Sequence, residues 1–381
     1  MENFTYYNPT KLHFGRDVVS DLGQSAVQYG RKALLIYGKG SIKENGIYDQ
    51  VVQQLKNHDI DFIEYSGIKS NPVVDDVDAA VEKARAFKAD MVIAVGGGSV
   101  VDSGKAMALT IPSELNAWDF YSKKAKPKQS LPLLTVLTLA ATGTEMNPVA
   151  VLQNHETGQK LGLVNPLMYP AHSFLDPENT FTVNRKYTAY GIADLVAHSL
   201  EAYFGVGDAS LSDKIVTSII REAIDYGPPL LDNLKNYDLR AKIMYAATLA
   251  LNGLTNNGRV SGDWGVHALG HEMSLLFDVP HGASLTIAYP AWLKFHKDRL
   301  NDRIAELGKE LFDVDTADAT IQELERFFNK IETPIRLSDI DLNNKSNKDE
   351  LLNSMNKNQA QGIHHKLTDE DRAELLRLMA D

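Results

Sequence analysis

The sequence predicts an α/β domain built on a Rossmann-like parallel sheet, followed by an all-helical domain. Three observations carry that reading. Short β-rich runs alternate with helical patterns through the first 180 residues. A glycine turn joins one of those strands directly to a helix. Beyond residue 180 nearly every apolar pattern has helical period. A chain of 381 residues has room for about two domains of roughly 100–200 residues each, and the change of texture sets them at 1–180 and 181–381.

Each element has its own signature. KALLIYG (32–38) reads as a strand ending at GKGS, and IYDQVVQQLKNHD (47–59) as an amphipathic helix. DFIEYSG (61–67) is a second strand, and residues 74–90 form a helix with Ala, Val and Phe on one side. Residues 90–111 give strand, glycine turn and helix in succession, and LLTVLTL (133–139) is one more apolar strand. In the second half, residues 191–204, 211–225, 238–254 and 263–277 all have helix period. The last helix, 367–380, opens with Thr368 and Asp371 in capping-box spacing, and the polar stretch 341–361 reads as a surface segment.

Composition narrows the function classes. The chain carries a net charge of −11, which argues against nucleic acid or an anionic membrane as its main partner. It has no cysteine, so disulfides, thiolate metal sites and cysteine nucleophiles are all excluded, and any transition-metal site must be built from His, Asp and Glu. The longest nearly apolar run, LPLLTVLTLAA (131–141), is far short of the ~20 residues that span a bilayer. The N-terminus has no apolar core of signal-peptide type, and the expectation is a soluble, cytoplasmic protein.

The turn VGGGSVVDSGKA places Gly96, Gly97, Gly98 and Ser99 between a strand and a helix. Glycines let a ligand approach the backbone, and the following helix N-terminus offers N–H groups and positive dipole suited to a pyrophosphate. GGGS lacks the GxGxxG spacing, so the strand–helix context carries the reading. The earlier turn YGKGS bears on which dinucleotide is taken. An acidic residue there would bond the ribose hydroxyls and reject a 2′-phosphate. Gly38 is small and neutral, Lys39 is cationic and Ser41 can donate, a combination that favours NADP and still admits NAD.

The helical half concentrates histidine. Asp194 and His198 stand one helical turn apart inside GIADLVAHSLEAYF, and His267 and His271 repeat that spacing. His281 follows in VPHGAS, read as a turn with Pro280 and Gly282. One such pair is commonly incidental. Two pairs and a turn histidine in a cysteine-free chain point to a metal site, and one carboxylate with several imidazoles suits Fe²⁺ or Zn²⁺. Beside a nicotinamide, such an ion would act as a Lewis acid on a carbonyl or alkoxide oxygen.

These motifs, taken in order, resemble the iron-containing (group III) alcohol dehydrogenases, most closely their NADPH-dependent butanol dehydrogenase and aldehyde reductase branch. The segments are GGGSVVDSGKA, TLAATGTE (138–145), DP (176–177), ADLVAHSLEAY (193–203) and HALGHEMSLLFDVPHGAS (267–284). The resemblance implies a dehydroquinate synthase-like pair of domains, a dinucleotide domain and a metal and substrate domain. It places the metal ligands at Asp194, His198, His267 and His281, and a catalytic or proton-relay histidine at His271. It adds cofactor contacts at Asn71, Asp102, Thr138, Thr142 and Lys160. It also implies interconversion of primary alcohols and aldehydes, a small-molecule substrate and a homodimer. The chain departs from the family pattern at Ala141 and Thr144 in the TLAATGTE segment and at Asn184 before the metal-bearing helix, none of them a ligand. Glu201, seven residues after Asp194 on the same face, reads equally as a support to the ligands or as a structural or exposed glutamate, and is left outside the site. Two rival readings remain: a dehydroquinate synthase-type lyase or cyclase, whose ligand set typically begins with Glu where this chain has Asp194, and a non-catalytic metal- or nucleotide-binding protein.

Overall fold

Residues 1–381 are all described by the structure, a computed structural model. The β-rich runs form β1 (Lys11–Phe14), β2 (Lys32–Tyr37), β3 (Asp61–Tyr65), β4 (Met91–Gly96), β5 (Leu133–Leu137), β6 (Val149–Asn154), β7 (Gln159–Val164) and β8 (His172–Leu175). Six of them make one sheet in the order β1-β8-β5-β4-β2-β3, every neighbour parallel, while β6 and β7 pair as a separate antiparallel hairpin. Side chains alternate between its two faces. Leu34, Ile36, Val92 and Ala94 join one buried cluster, and Ala33, Leu35, Met91 and Ile93 the other. Helices α1 (Leu22–Ala26), α2 (Ser41–Glu44) and α3 (Ile47–Asn57) serve the second face; α4 (Val74–Phe87), α5 (Gly98–Thr110) and α6 (Ala117–Tyr121) serve the first.

The strand order fixes where a ligand can sit. The chain leaves β2 for β3 at one edge, then returns to the other side of β2 as β4 and continues away through β5. In an open parallel sheet, ligands bind beyond the carboxyl ends of the strands at such a reversal. Those ends are Tyr37–Gly38 and Gly96–Gly97, the two glycine turns singled out in the sequence.

The helical half contains α7 (Arg185–Tyr203), α8 (Ser210–Asp232), α9 (Tyr237–Ala250), α10 (Gly265–Phe277), α11 (His281–Phe312), α12 (Ala317–Lys330), α13 (Lys345–Lys357) and α14 (Asp369–Ala380). The expected capping box opens α14. The stretch taken for a surface segment folds instead as α13, because Leu351 and Met355, one turn apart, are buried. α7 packs against α8, α10 and α11 and is buried on every side from Thr188 to Tyr203. No helix is long and apolar enough to cross a membrane.

The chain divides into two compact units, and neither is one stretch. One is 7–184 with 234–248; the other is 1–6, 185–233 and 249–381. A single boundary at residue 180 therefore does not describe it. α9 accounts for the first exchange, since Met244 is buried with Val101, Leu137 and Leu175, and Thr248 donates to Glu145 at 2.5 Å. The first residues are held in the other unit, where the Glu2 N–H donates to the Gly258 carbonyl.

One buried cation ties α5 to the segment that follows β5. Lys105 is fully buried, and its Nζ donates to Thr144 Oγ1, the Asn147 carbonyl, Asn147 Oδ1 and the Val149 carbonyl at 2.7–3.0 Å. Burial pushes its pKa down to about 7, against the pull of Asp102 and Glu145. Lys105→Met removes the donor and leaves these acceptors facing a thioether. The expected result is a loss of about 3 kcal/mol or more in denaturant unfolding, the scale for breaking a buried charged network; an unchanged midpoint would count against this role.

Candidate metal centre and dinucleotide turn

The glycine turn is set by close packing. Gly97 caps α5 and Gly98 begins it; a Cβ on Gly98 would stand 2.6 Å from Thr142 Cγ2, so only glycine lets the two segments meet. The Thr138 N–H donates to the Gly96 carbonyl at 3.0 Å, which brings the end of β5 beside the turn, and Thr142 Oγ1 accepts the Thr144 N–H. Ser99 Oγ donates to the Ser70 carbonyl, and Lys160 Nζ in β7 donates to Asn71 Oδ1 at 2.9 Å. Gly96–Ser99, Asn71, Thr138, Thr142 and Lys160 thus gather around the end of β4. Gly38, Lys39 and Ser41 lie beyond β2, with Lys39 and Ser41 exposed.

Asp102 points elsewhere. Its Oδ1 accepts from Thr144 Oγ1 at 2.6 Å and its Oδ2 from the Val151 N–H at 2.8 Å. Both oxygens are committed to the protein, so Asp102 shapes the turn by holding the start of the hairpin.

In the helical unit, Asp194, His198, His267 and His281 each offer one donor atom, and the four atoms lie within 4.8 Å of one another. His198 Nδ1 is 3.5 Å from Asp194 Oδ1, and His281 Nε2 is 3.7 Å from the same oxygen. Donors about 2.1 Å from one centre in a tetrahedron stand roughly 3.4 Å apart, so these spacings suit one ion. His198 Nδ1 is buried and takes no hydrogen bond, as an atom reserved for a metal would be. Burial, and then the neighbouring His267, push the His198 pKa well below the usual imidazole value. The ring therefore stays neutral, the form that ligates a metal.

Three elements deliver these side chains. α7 carries Asp194 and His198, α10 carries His267, and His281 is the first residue of α11. The turn expected at VPHGAS is a helix start, capped by Pro280. α11 begins so close to α7 that a Cβ on Gly282 would lie 2.2 Å from the Tyr190 carbonyl oxygen, one turn before Asp194. Glycine at 282 is what brings His281 to its partner. His271 stands beside the group and outside it, its ring centroid 6.4 Å from His267 and 5.6 Å from His281.

Two residues at this centre escaped the sequence reading. Glu201 is 2% exposed, and its Oε1 accepts both the backbone N–H and the Nδ1–H of His267, each at 2.9 Å. It also takes the amide N–H groups of Trp264 and Val266. One carboxylate thus caps α10, fixes the His267 tautomer and turns Nε2 toward the other donors. Burial pushes the Glu201 pKa up to about 8, while the His267 amide pulls it back. The other residue is Trp264, whose ring lies 5.3 Å from that of His267 and 6.2 Å from that of His198. Its position before an i, i+4 histidine pair gave no sign of this.

The comparisons with known proteins agree with this architecture. Residues 9–177 match the family model for iron-containing alcohol dehydrogenase, and residues 188–379 the C-terminal model of the Fe-containing alcohol dehydrogenase family. The chain belongs to the iron-containing alcohol dehydrogenases. It is 42% identical over 354 residues to a probable NADH-dependent butanol dehydrogenase 1 of Bacillus subtilis (strain 168), covering 91% of each chain. It is 34% identical over 356 residues to the NADPH-dependent aldehyde reductase YqhD of Escherichia coli (strain K12), again covering 91% of each. Among solved structures, an NADH-dependent butanol dehydrogenase A from Thermotoga maritima superposes with a TM-score of 0.96 at 37% identity, covering 100% of this chain and 99% of that one. Membership of this family accounts for both the parallel-sheet unit and the helical unit.

Glu201→Gln keeps the size of the side chain and removes its charge. The expected outcome is metal affinity lowered about 10–100-fold, measured by competition with a chromophoric chelator. Calorimetry of metal binding at pH 7 in two buffers should also show proton release from the wild type that falls in the variant. Binding favours the ionised form of a group that burial had raised above the working pH. Equal affinity and equal proton release would remove Glu201 from the centre.

Proposed function

We propose that this enzyme interconverts primary alcohols and aldehydes with NADP(H), using one Fe²⁺ or Zn²⁺ held by Asp194, His198, His267 and His281. The observation that carries the reading is the convergence of one carboxylate and three imidazoles in a family of alcohol dehydrogenases. When bound, the ion supplies Lewis acidity toward the substrate oxygen and the nicotinamide accepts or returns a hydride. Glu201 keeps His267 in one tautomer and orientation. His271, beside two of the ligand imidazoles, is placed to hold or pass the proton that accompanies the redox step.

For the dinucleotide, the amides of Gly96–Ser99 at the start of α5 suit a pyrophosphate, with Asn71, Thr138, Thr142 and Lys160 around them. Asp102 supports that turn through Thr144 and Val151. Preference for NADP rests on Gly38, Lys39 and Ser41. The nearby Lys43 is engaged with Glu64 at 3.8 Å and lies over the rings of Tyr37 and Tyr48, whereas Lys39 is exposed in the turn itself. The relatives carry both cofactor names, so this preference is specific to the residues here. A homodimer fits the edge strand β1, which pairs only with β8 and exposes Phe14 against Tyr245.

One panel tests both parts. Butyraldehyde reduction is followed by cofactor absorbance with NADPH and NADH for the wild type, His267→Ala and Lys39→Gln. We expect His267→Ala or chelation to lower turnover at least 100-fold with both cofactors. Lys39→Gln should raise the KM for NADPH about tenfold and leave that for NADH unchanged. Undiminished turnover after metal removal would overturn the metal-dependent reading, and equal effects on the two cofactors would overturn the NADP assignment.

A further inference from the structure

Trp264 sits in the left-handed region, at φ 65° and ψ 13°, as the residue capping α10. A bulky side chain there is a backbone outlier that persists only when its surroundings hold it. The surroundings do so from both sides. Its own N–H is taken by the Glu201 carboxylate. The preceding Asp263 is fully buried, and its N–H donates to the Glu201 carbonyl at 3.0 Å. Asp263 Oδ1 accepts the amide N–H groups of His364 and His365 at 2.8 and 2.9 Å, and the Asp263 carbonyl accepts the Ile363 N–H at 2.6 Å. Two buried carboxylates and the 363–365 segment thus fix the backbone at this point.

That conformation delivers an indole to two metal-ligand imidazoles. Its Nε1 edge turns back, 3.1 Å from where a Cβ on Gly262 would be, and its ring lies near both His267 and His198 while Trp264 remains only half-buried. Glycine would adopt the same backbone without strain. The side chain, and not the turn, is therefore what the strain secures.

We infer that Trp264 is the residue that sets chain-shape specificity at this centre, with Asp263 as its positioning residue. The inference rests on the alcohol–aldehyde reading above. A flat, rigid apolar face beside the ligand imidazoles accommodates an unbranched alkyl group on the carbon that carries the oxygen. It crowds a branch at the next carbon. Discrimination by an apolar wall against one extra or displaced methyl group amounts to about 10–200-fold.

The test compares kcat/KM for butyraldehyde and isobutyraldehyde in the metal-loaded wild type, Trp264→Ala, Trp264→Phe and Asp263→Asn, with metal content measured on each. The wild type should prefer the straight chain. Trp264→Ala should lower that preference about tenfold or more, chiefly through the KM for the branched substrate, at unchanged metal content. Trp264→Phe should retain most of it, and Asp263→Asn should shift it in the direction of Trp264→Ala. A second measurement needs no turnover: Co²⁺ added to metal-free protein should quench tryptophan emission in the wild type and in the Trp118→Phe/Trp292→Phe variant, which keeps Trp264 as its one tryptophan. An unchanged preference in Trp264→Ala, or no quenching in Trp118→Phe/Trp292→Phe, overturns the role of Trp264 and leaves the alcohol–aldehyde reading standing. Quenching as expected in a wild type that reduces neither aldehyde overturns that reading, and the specificity role with it.

Discussion

The centre depends on the Glu201 carboxylate. Asp194 and His198 are on α7 and His267 is on α10, helices separated by more than sixty residues of chain. Glu201, two turns beyond Asp194, accepts the first amides of α10 and the His267 ring together. That sets α10 in register against α7, so that an i, i+4 pair on one helix meets a single histidine from the next. His281 arrives separately, because Gly282 lets α11 start against the Tyr190 carbonyl. Remove either device and the donors are residues on neighbouring helices with no common centre.

Burial makes this arrangement both costly and specific. Asp194, Glu201 and Asp263 are each no more than 2% exposed. Carboxylates in such surroundings are unfavourable unless hydrogen-bonded or paired with a cation. Backbone amides and the His267 ring satisfy Glu201, backbone amides hold Asp263 Oδ1, and a divalent ion at the four donors would supply positive charge beside Asp194. The parallel-sheet unit follows a different logic. There Lys105 is the buried charge, and it organises Thr144, Asn147 and Val149 behind the Gly96–Gly98 turn.

Much of this was legible in the sequence, for identifiable reasons. β2, β4 and β5 are buried on both faces and read as continuous apolar runs, and the Gly96–Gly98 turn between β4 and α5 is punctuated by glycine. β1 and β8, at four residues each, carry too little pattern, and the hairpin β6–β7 is half-exposed and mixed in composition. At the centre, helical spacing exposed the pairs Asp194–His198 and His267–His271, and the family resemblance separated ligands from His271. Spacing put Glu201 on the face of Asp194 but could not choose between a supporting and a solvated role, because a glutamate near a helix end is ordinarily solvated and only the approach of α10 buries it. Nor could it show that Asp102 turns toward Thr144 and Val151, since direction on a helix does not tell which neighbour will take the carboxylate.

The most direct test of the account is X-ray absorption at the metal edge of the purified holoprotein, combined with metal stoichiometry. The expected result is one ion per chain, bound at about 2.0–2.2 Å by three imidazole nitrogens and at least one carboxylate oxygen, the distances expected for such donors. A shell of oxygens alone, or fewer than three imidazoles in fully loaded protein, would contradict it.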